Sequence, residues 1–489
     1  MKPFLSLTKV INLSFMVFFL TGCANLAPKY SVPETPVPPT WPTGPSYQQQ
    51  PAAQTGPAAI DLPWQEFFLD PQLRQLIETA LANNRDLRVA ALNIERYRAQ
   101  YQIQRAAQWP QLEGNAAAAR QRLPEQLSGT GSAKTVNEYI IGLGVSSYEL
   151  DFFGRVRNLK EAALQQYLAT REAQRSAQIS LIASVANGYL NLAADREKLS
   201  VAKETLTAQQ ESFDIIQKRF EVGITSELDL QFARAQMEAA RVDVARYTTL
   251  VAQDENGLTL LVGSSIEPEL LSPKLDDSLL DKGKIGPGLS SEVLLRRPDV
   301  RQAEEQLKGM NANIGAARAA FFPRITLVGA LGFGSRELDN LFRSGAMAWN
   351  LGSSLTVPIF DAGTNRANLE IAKADRDIAV AQYEKSIQIA FREAADALAQ
   401  HGTITEQLAA QMSLEEATAA SLRLSQARFE KGIDNYLSVL ISQRALYSAQ
   451  QELVNTRLTR LQNLVTLYKV LGGGADSAGL PEDAPPTSG

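Results

Sequence analysis

The decapeptide RFEKGIDNYL, beginning at Arg428, nearly repeats RFEVGITSEL, which begins at Arg219, 209 positions earlier. The same offset carries Gly154 to Gly363, Arg157 to Arg366 and Gly263 to Gly472. Upstream of Gly154 the offset becomes 213: DLR at Asp86 meets DVR at Asp299, and RAAQWP at Arg105 meets RAAFFP at Arg318. Two halves that hold one register over such a distance, apart from a four-residue loop, are two copies of one structural unit. Whatever fold forms must contain that unit twice, so each element of one half constrains its counterpart in the other.

Composition removes several function classes. At 489 residues the chain is too long for one small core, and its formal charge of −5 comes without any Lys/Arg cluster interleaved with aromatics. No nucleic-acid partner is therefore expected. One cysteine and one histidine leave no disulfide framework and no Cys/His metal site. His401 stands alone and falls opposite Leu192 of the first half, which fits a packed histidine better than a catalytic one. GALGFG at Gly329 sits in an alternating, strand-like stretch and lacks the helix that a phosphate loop requires. No catalytic residue, metal or cofactor is expected.

The single cysteine follows a secretory pattern. Lys2 and Lys9 precede an apolar run from Val10 to Leu20, too short to span a bilayer as a helix, and then comes LTGC ending at Cys23. The stretch resembles a bacterial lipobox, in which the cysteine is the lipid acceptor, with Ala24 after it resembling an outer-membrane address; a buried thiol is the other reading. A thioether-linked lipid with a further acyl chain would supply the two anchors that stable membrane attachment needs. Residues 1–22 then form the signal peptide, and 23–63 an extended, proline-rich strap. The glycine- and proline-rich residues 473–489 read as a disordered tail.

Each unit opens with a helix ended by its RAA-x-aromatic-Pro sequence, and continues in period two. Tyr139, Ile141, Leu143 and Val145 alternate with Gly142, Gly144 and Ser146; Ile325, Leu327, Leu331 and Phe333 alternate with Thr326, Ala330, Gly332 and Gly334. Trp349, Leu351, Leu355 and Val357 alternate with Asn350, Gly352, Ser354 and Thr356, and an alanine-rich stretch from Leu112 to Arg120 is the weakest of the four. Strands of about ten residues with one apolar and one small, polar face match a tilted membrane-crossing sheet lining a wet lumen. A soluble sheet packed under helices is the alternative. Four strands leave two open margins, which hydrocarbon does not tolerate, so a membrane sheet must be closed by other copies of the chain. Two copies would make a narrow barrel of about eight strands, three a wider channel of about twelve.

After the strands, Arg155 to Glu221 contains no proline and one glycine, and so does Thr364 to Glu430. Each predicts a rod on the order of 100 Å long. Val185, Leu192, Leu199, Leu206, Phe213 and Phe220 fall seven apart, the spacing of a supercoiled seam. Gly223 and Gly432 break the rods, and second helices run back from about Ser226 and Asn435. The glycines mark the tips of two helical hairpins.

LTGC, GPGLSSEVLLRRPDV from Gly286, NANIGAARAAFFPRITL from Asn311, VPIFDAG from Val357 and ARFEKGIDNYL from Ala427 together resemble the outer-membrane factor (TolC-type) family, in particular its OprM-like lipoprotein channels. The resemblance covers nearly the whole mature chain. It implies an α+β membrane protein: a homotrimer with a 12-stranded outer-membrane β-barrel, four strands per protomer, continued by a long periplasmic α-helical barrel with a mixed equatorial domain. The internal units become two efflux repeats, 64–263 and 296–472, joined by an equatorial linker over 264–295. The implied role is a passive exit duct of a tripartite efflux pump, fed by a periplasmic adaptor and an inner-membrane RND-type transporter. The duct of a type I secretion system is an alternative, and so is a lipid-anchored coiled-coil scaffold, which leaves the strands without a purpose.

The resemblance also implies site residues. The tips, Arg219, Gly223, Ile224 and Thr225 with Arg428, Gly432 and Ile433, are expected to seat the adaptor; plain capping of the hairpins is the competing reading. In the family the returning helix of the second hairpin lines a periplasmic gate, commonly with aspartates. Here Ser438 and Ile441 stand where relatives can carry them. The expected gate is therefore an apolar constriction of Leu437 and Ile441, with Arg444 beyond it; Asp229 and Asp434 near the tips read either as ion-pair partners holding a closed state or, more commonly for such positions, as plain solvated charges.

Overall fold

A computed structural model describes residues 25–47, 59–129, 131–280 and 290–474. The lipid acceptor Cys23, the signal segment, part of the strap and of the linker, and the tail from 475 lie outside these residues. The described chain divides into two compact units, and neither coincides with a sequence repeat. One takes the strap up to Glu34 with Asn93–Thr170 and Ala303–Tyr383; the other takes Thr35–Leu92, Arg171–Gln302 and the chain from Glu384. Each unit thus draws on both repeats.

The first unit holds a single antiparallel sheet, β1 (Glu113–Leu123), β2 (Lys134–Leu150), β3 (Arg324–Ser335) and β4 (Met347–Thr356), paired in chain order. Register places Ala116, Ile141 and Phe333 in one row, and Leu143, Leu331 and Trp349 in the next. The alternation read from the sequence thus becomes one largely apolar face, broken by Ser353 beside Leu327 and by Asn137 and Arg120 towards one end, and that face is bare: Trp349 is 71% and Leu351 76% exposed. The opposite face carries Asn115, Glu138, Gly142, Gly144, Ala330, Gly332, Asn350 and Ser354, interrupted by Ile140 and Val328. A bulge between Val145 and Tyr148 exchanges the parity of β2, so that Tyr148 and Leu150, not odd-numbered residues, continue the apolar face beside Leu327 and Ile325. Gly142 and Gly332 are directly opposed, and a Cβ on Gly142 would lie 2.7 Å from the carbonyl oxygen of Leu331. Only glycine allows the two backbones to come so close.

The repeat is exact in the helices. α2 (Arg85–Ala106) and α5 (Pro298–Ala319) have 22 residues each and keep the offset of 213; α3 (Arg155–Glu221) and α6 (Thr364–Glu430) have 67 each and keep 209. Returning helices α4 (Glu227–Val262) and α7 (Tyr436–Val470) also start 209 apart. Among the described residues no helix is long and apolar enough to cross a membrane.

Within one chain, the heptad seam expected along α3 is buried in its proximal half only. Val185 and Leu192 are buried, but Leu199, Leu206 and Phe213 are partly open and Phe220 is exposed. The buried line in the distal half runs instead through Ala202, Gln209 and Ile216, three residues further on. Burial in the distal half is thus still spaced by sevens, on a different stripe of the helix.

The second unit has its densest core around α1 (Pro71–Asn83) and the linker. Phe67 stacks on Tyr468 at 4.4 Å, and the buried Tyr468 hydroxyl donates to the carbonyl of Leu62 at 2.7 Å. The linker is fastened by arginines: Arg196 donates to the carbonyls of Leu271 and Ser272, Arg457 to that of Leu275, and Arg460 pairs with Asp277 at 2.8 Å. In the first unit the strap is held through its backbone, the carbonyls of Leu26 and Pro28 accepting from Arg318 and Asn311. A proline-rich stretch such as this, irregular from Leu26 to Glu34, satisfies its carbonyls this way.

Candidate functional site

Both hairpin tips are built on one backbone plan. At the first, Gly223 adopts φ 76°, its N–H donates to the Phe220 carbonyl at 2.9 Å, and Ile224 N–H donates to Arg219 at 2.8 Å. At the second, Gly432 adopts φ 72°, donates to Phe429 at 2.9 Å, and Ile433 donates to Arg428 at 2.9 Å. This is a Schellman closure, in which a left-handed residue satisfies the last carbonyls of the rod. Capping chemistry then diverges. Ser226 and Asp229 form a reciprocal capping box at the start of α4, whereas Asn435 alone caps α7, accepting from Ser438 N–H at 3.3 Å.

Side chains diverge further. Arg428 grips Asp434 through two bonds of 2.5 and 2.9 Å, and this pairing holds the Asp434 carboxyl below the ordinary carboxylate range. The counterpart of Asp434 in the first tip is Thr225, so Arg219 has no acid at that place; its guanidinium lies 5.0 Å over the ring of Phe429. Beneath the tips Ile216, Ala233, Tyr436, Val439 and Leu440 form a small core with Phe213, Leu230, Leu422 and Phe429 around it. Val222, Ile224 and Ile433 point outward, exposed.

Along α7 the two faces separate cleanly. Tyr436, Val439 and Leu440 are buried, while Leu437, Ile441 and Arg444, at helical spacings of four and three, are exposed on the other side. The three helix residues named for the gate therefore share one open face. Asp229 and Asp434 have different work: Asp229 accepts from Ser226 and Thr225 in the capping box, and Asp434 pairs within its own hairpin. Ser438 donates to Asn435, and Ser442 joins Ser425 at 2.9 Å. His401 is half-buried on α6, and burial lowers its pKa.

Sequence reading missed the polar ties between helices. Tyr247 donates to Gln451 at 2.7 Å and Tyr447 to Asp243 at 3.0 Å, fastening α4 to α7 by two bonds of equal sequence separation, while Gln209 reaches Gln443 at 3.1 Å. It also missed Asp254, whose Oδ2 is buried without a partner; burial, then the nearby Asp195, push its pKa up to about 6 against the pull of Lys198. Lys198 itself is engaged with Asp195 at 3.0 Å. Nothing in a linear sequence brings residues 195 and 254 together. Among the described residues no group of His, Cys, Asp and Glu is placed to hold a metal.

An exposed apolar sheet face, a small-residue opposite face and paired 67-residue rods form a distinctive set, and the sequence agrees with it: residues 76–264 and 289–473 match the outer membrane efflux protein family. The chain belongs to this family. Among its relatives, the antibiotic efflux pump outer membrane protein ArpC of Pseudomonas putida is 47% identical over 466 residues, covering 95% of each chain. The solvent efflux pump outer membrane protein SrpC, also from Pseudomonas putida, is 48% identical over 461 residues, 94% of this chain and 97% of that one. Among solved structures, the open state of the Neisseria gonorrhoeae MtrE outer membrane channel aligns with a TM-score of 0.83 at 39% identity, over 92% of this chain and 99% of that one. As in that family, the protein is an outer-membrane efflux channel component whose strands form a barrel segment and whose long helices are periplasmic.

Proposed function

We propose that this chain is the exit duct of a tripartite efflux pump, conducting drugs or other toxic solutes passively to the outside after an inner-membrane transporter and a periplasmic adaptor have delivered them. The observation that carries this reading is the sheet. Its apolar face is bare, and its outer strands β1 and β4 have no strand partner on their free margins among the described residues. In hydrocarbon each unpaired backbone group costs several kcal/mol, so lipid accepts this sheet only when β4 of one copy pairs with β1 of the next. Three copies then enclose a lumen whose wall is made of Asn115, Gly142, Gly332, Asn350 and Ser354. Energy comes from the transporter, and the duct needs no cofactor.

Cargo is set upstream. Relatives named for antibiotics and for solvents are equally similar to this chain, so its wall is suited to both kinds of compound. Cys23 would tether the strap to the inner leaflet of the outer membrane. The tips from Arg219 to Thr225 and from Arg428 to Ile433 would seat the adaptor, offering the exposed Val222, Ile224 and Ile433. Leu437 and Ile441, repeated around the threefold axis, would form an apolar ring that closes by excluding water. Replacing both by aspartate should wet the ring, raising conductance in planar bilayers and creating a multivalent-cation block that the native channel lacks. Conductance that is unchanged by the pair, or a micromolar cation block of the native channel, would remove these residues from the gate. Deleting the gene and scoring which compounds become more toxic identifies the cargo.

A further inference from the structure

The internal repeat gives each chain one complete strand junction and two halves of another. In the complete one, the exit from β2 meets the approach to β3: Leu150 pairs with Ile325, and just beyond them Phe153 stacks on Phe322 at 4.6 Å with 21° between the rings. Phe322 belongs to the RAAFFP corner, whose N–H groups at Phe321 and Phe322 turn back onto the carbonyls of Arg318 and Ala319. The RAAQWP corner before β1 has the same turn, with Gln108 and Trp109 donating to Arg105 and Ala106. Trp109 is the counterpart of Phe322 at the offset of 213.

Among the described residues no ring stacks on Trp109 as Phe153 stacks on Phe322. It is 66% exposed, and Leu112, next to β1, is 67% exposed. The exit from β4 is barer still, with Ile359 at 95% and Phe360 at 89%. All three ladders are antiparallel, so β2 and β4 run one way and β1 and β3 the other. When β4 of one copy pairs with β1 of the next, the end of β4 lies beside the start of β1, as the end of β2 lies beside the start of β3.

We propose that Ile359 and Phe360 of one copy pack on Trp109 and Leu112 of the neighbouring copy, forming an apolar clasp at each seam of the barrel. The inference rests on the duct reading and adds the residues that join the copies. The clasp departs from its template in two ways. The counterpart of Phe153 is Ala362, held at φ 53°, so the ring comes from Phe360, two positions earlier. The complete junction is also tied by Glu149, which accepts from Arg155 and pairs with Arg324 at 2.6 Å. Their counterparts are Pro358, Thr364 and Gln111, which carry no charge. With those ion pairs absent, apolar contact is what side chains can add to the strand pairing at this corner, and four large exposed side chains are there to make it.

The test uses the full-length protein in the outer membrane. Trp109→Cys and Phe360→Cys are combined, oxidised mildly and run denatured without reductant, with each single variant, which carries the same Cys23, setting the background. Covalent dimers and trimers at least tenfold above the singles are expected. A photo-reactive phenylalanine analogue at 360 provides a second reading that leaves Trp109 intact; its cross-linked peptide should contain residues 109–112 of another chain. If amine cross-linking captures trimers but neither probe links 360 to this corner, or if the link forms within one chain, the clasp is wrong and the duct stands. Absence of trimers under amine cross-linking would overturn both.

Discussion

A Cβ added to Gly142 would press into the backbone of the neighbouring strand, 2.7 Å from the Leu331 carbonyl oxygen; one added to Gly432 would meet nothing within 4 Å. The sheet needs glycine for space, at an ordinary backbone angle, whereas the tip needs it for a left-handed φ of 72° in open solvent. Identical residues thus protect different things, closure of the barrel wall in one place and reversal of a helical rod in the other. Their failures should differ accordingly.

The largest effect is expected at the wall. Gly142→Val or Gly332→Val sets a side chain against backbone that has no room to yield, and should lower the outer-membrane level of assembled protein more than tenfold on a blot of unheated samples. Accumulation at the native level would break the distinction. At the tips, Gly223→Ala or Gly432→Ala should cost about 1–2 kcal/mol for the left-handed conformation and leave trimers intact. Asn, which tolerates that region, should be milder than Ala at 432, yet no milder than Ala at 142. Bulky residues at both tips together should abolish resistance with trimers still present; full resistance would show that the tips do not seat the adaptor.

Smaller effects sharpen the contrast between the two tips. Ser226→Ala and Asn435→Ala should each cost about 1 kcal/mol, with the former greater because it dissolves both arms of the capping box. Asp254 is expected to impose a pH dependence. Its folded pKa of about 6 lies above the unfolded value, so the native state holds the proton longer and stability falls as pH rises from about 4 to 6. Asp254→Asn should therefore raise the melting temperature at pH 7 and leave it nearly unchanged at pH 4, a difference on the order of 1 kcal/mol after allowing for solvent screening. Smallest is the exposed Arg428–Asp434 pair. It favours the fold above the ordinary carboxylate pKa and loses that contribution as pH falls through the depressed value, so Asp434→Asn should matter only at low salt and neutral pH.

Local rules and the repeat made most of the fold legible. RFE-x-G-I fixed both tips, the two RAA-x-aromatic-Pro corners fixed where helices give way to strands, and the rods end where their glycines stand. The S-x-x-D of Ser226 to Asp229 was also readable as a capping box, although Asp229 invited a reading as a gate charge. Hidden were the properties that depend on how helices rotate and which distant residues meet. The buried line of α3 shifts from the Leu199 stripe to the Ala202 stripe, both spaced by sevens, and which stripe is covered depends on the helices packed beside it. The unpartnered Asp254, the Arg219 guanidinium over Phe429 and the Phe153–Phe322 stack each join residues more than 50 positions apart. Of the residues expected at a gate, Leu437, Ile441 and Arg444 could be named from sequence, and their common exposed face follows from helical spacing alone. What that face meets depends on the neighbouring copies.

Mass and conductance measured on one purified sample decide whether sister chains close the sheet. Native mass spectrometry from detergent should give three chains per particle, and the same particles should conduct ions when inserted into a planar bilayer. A stable single chain that stays in solution without detergent and carries no current would contradict the account.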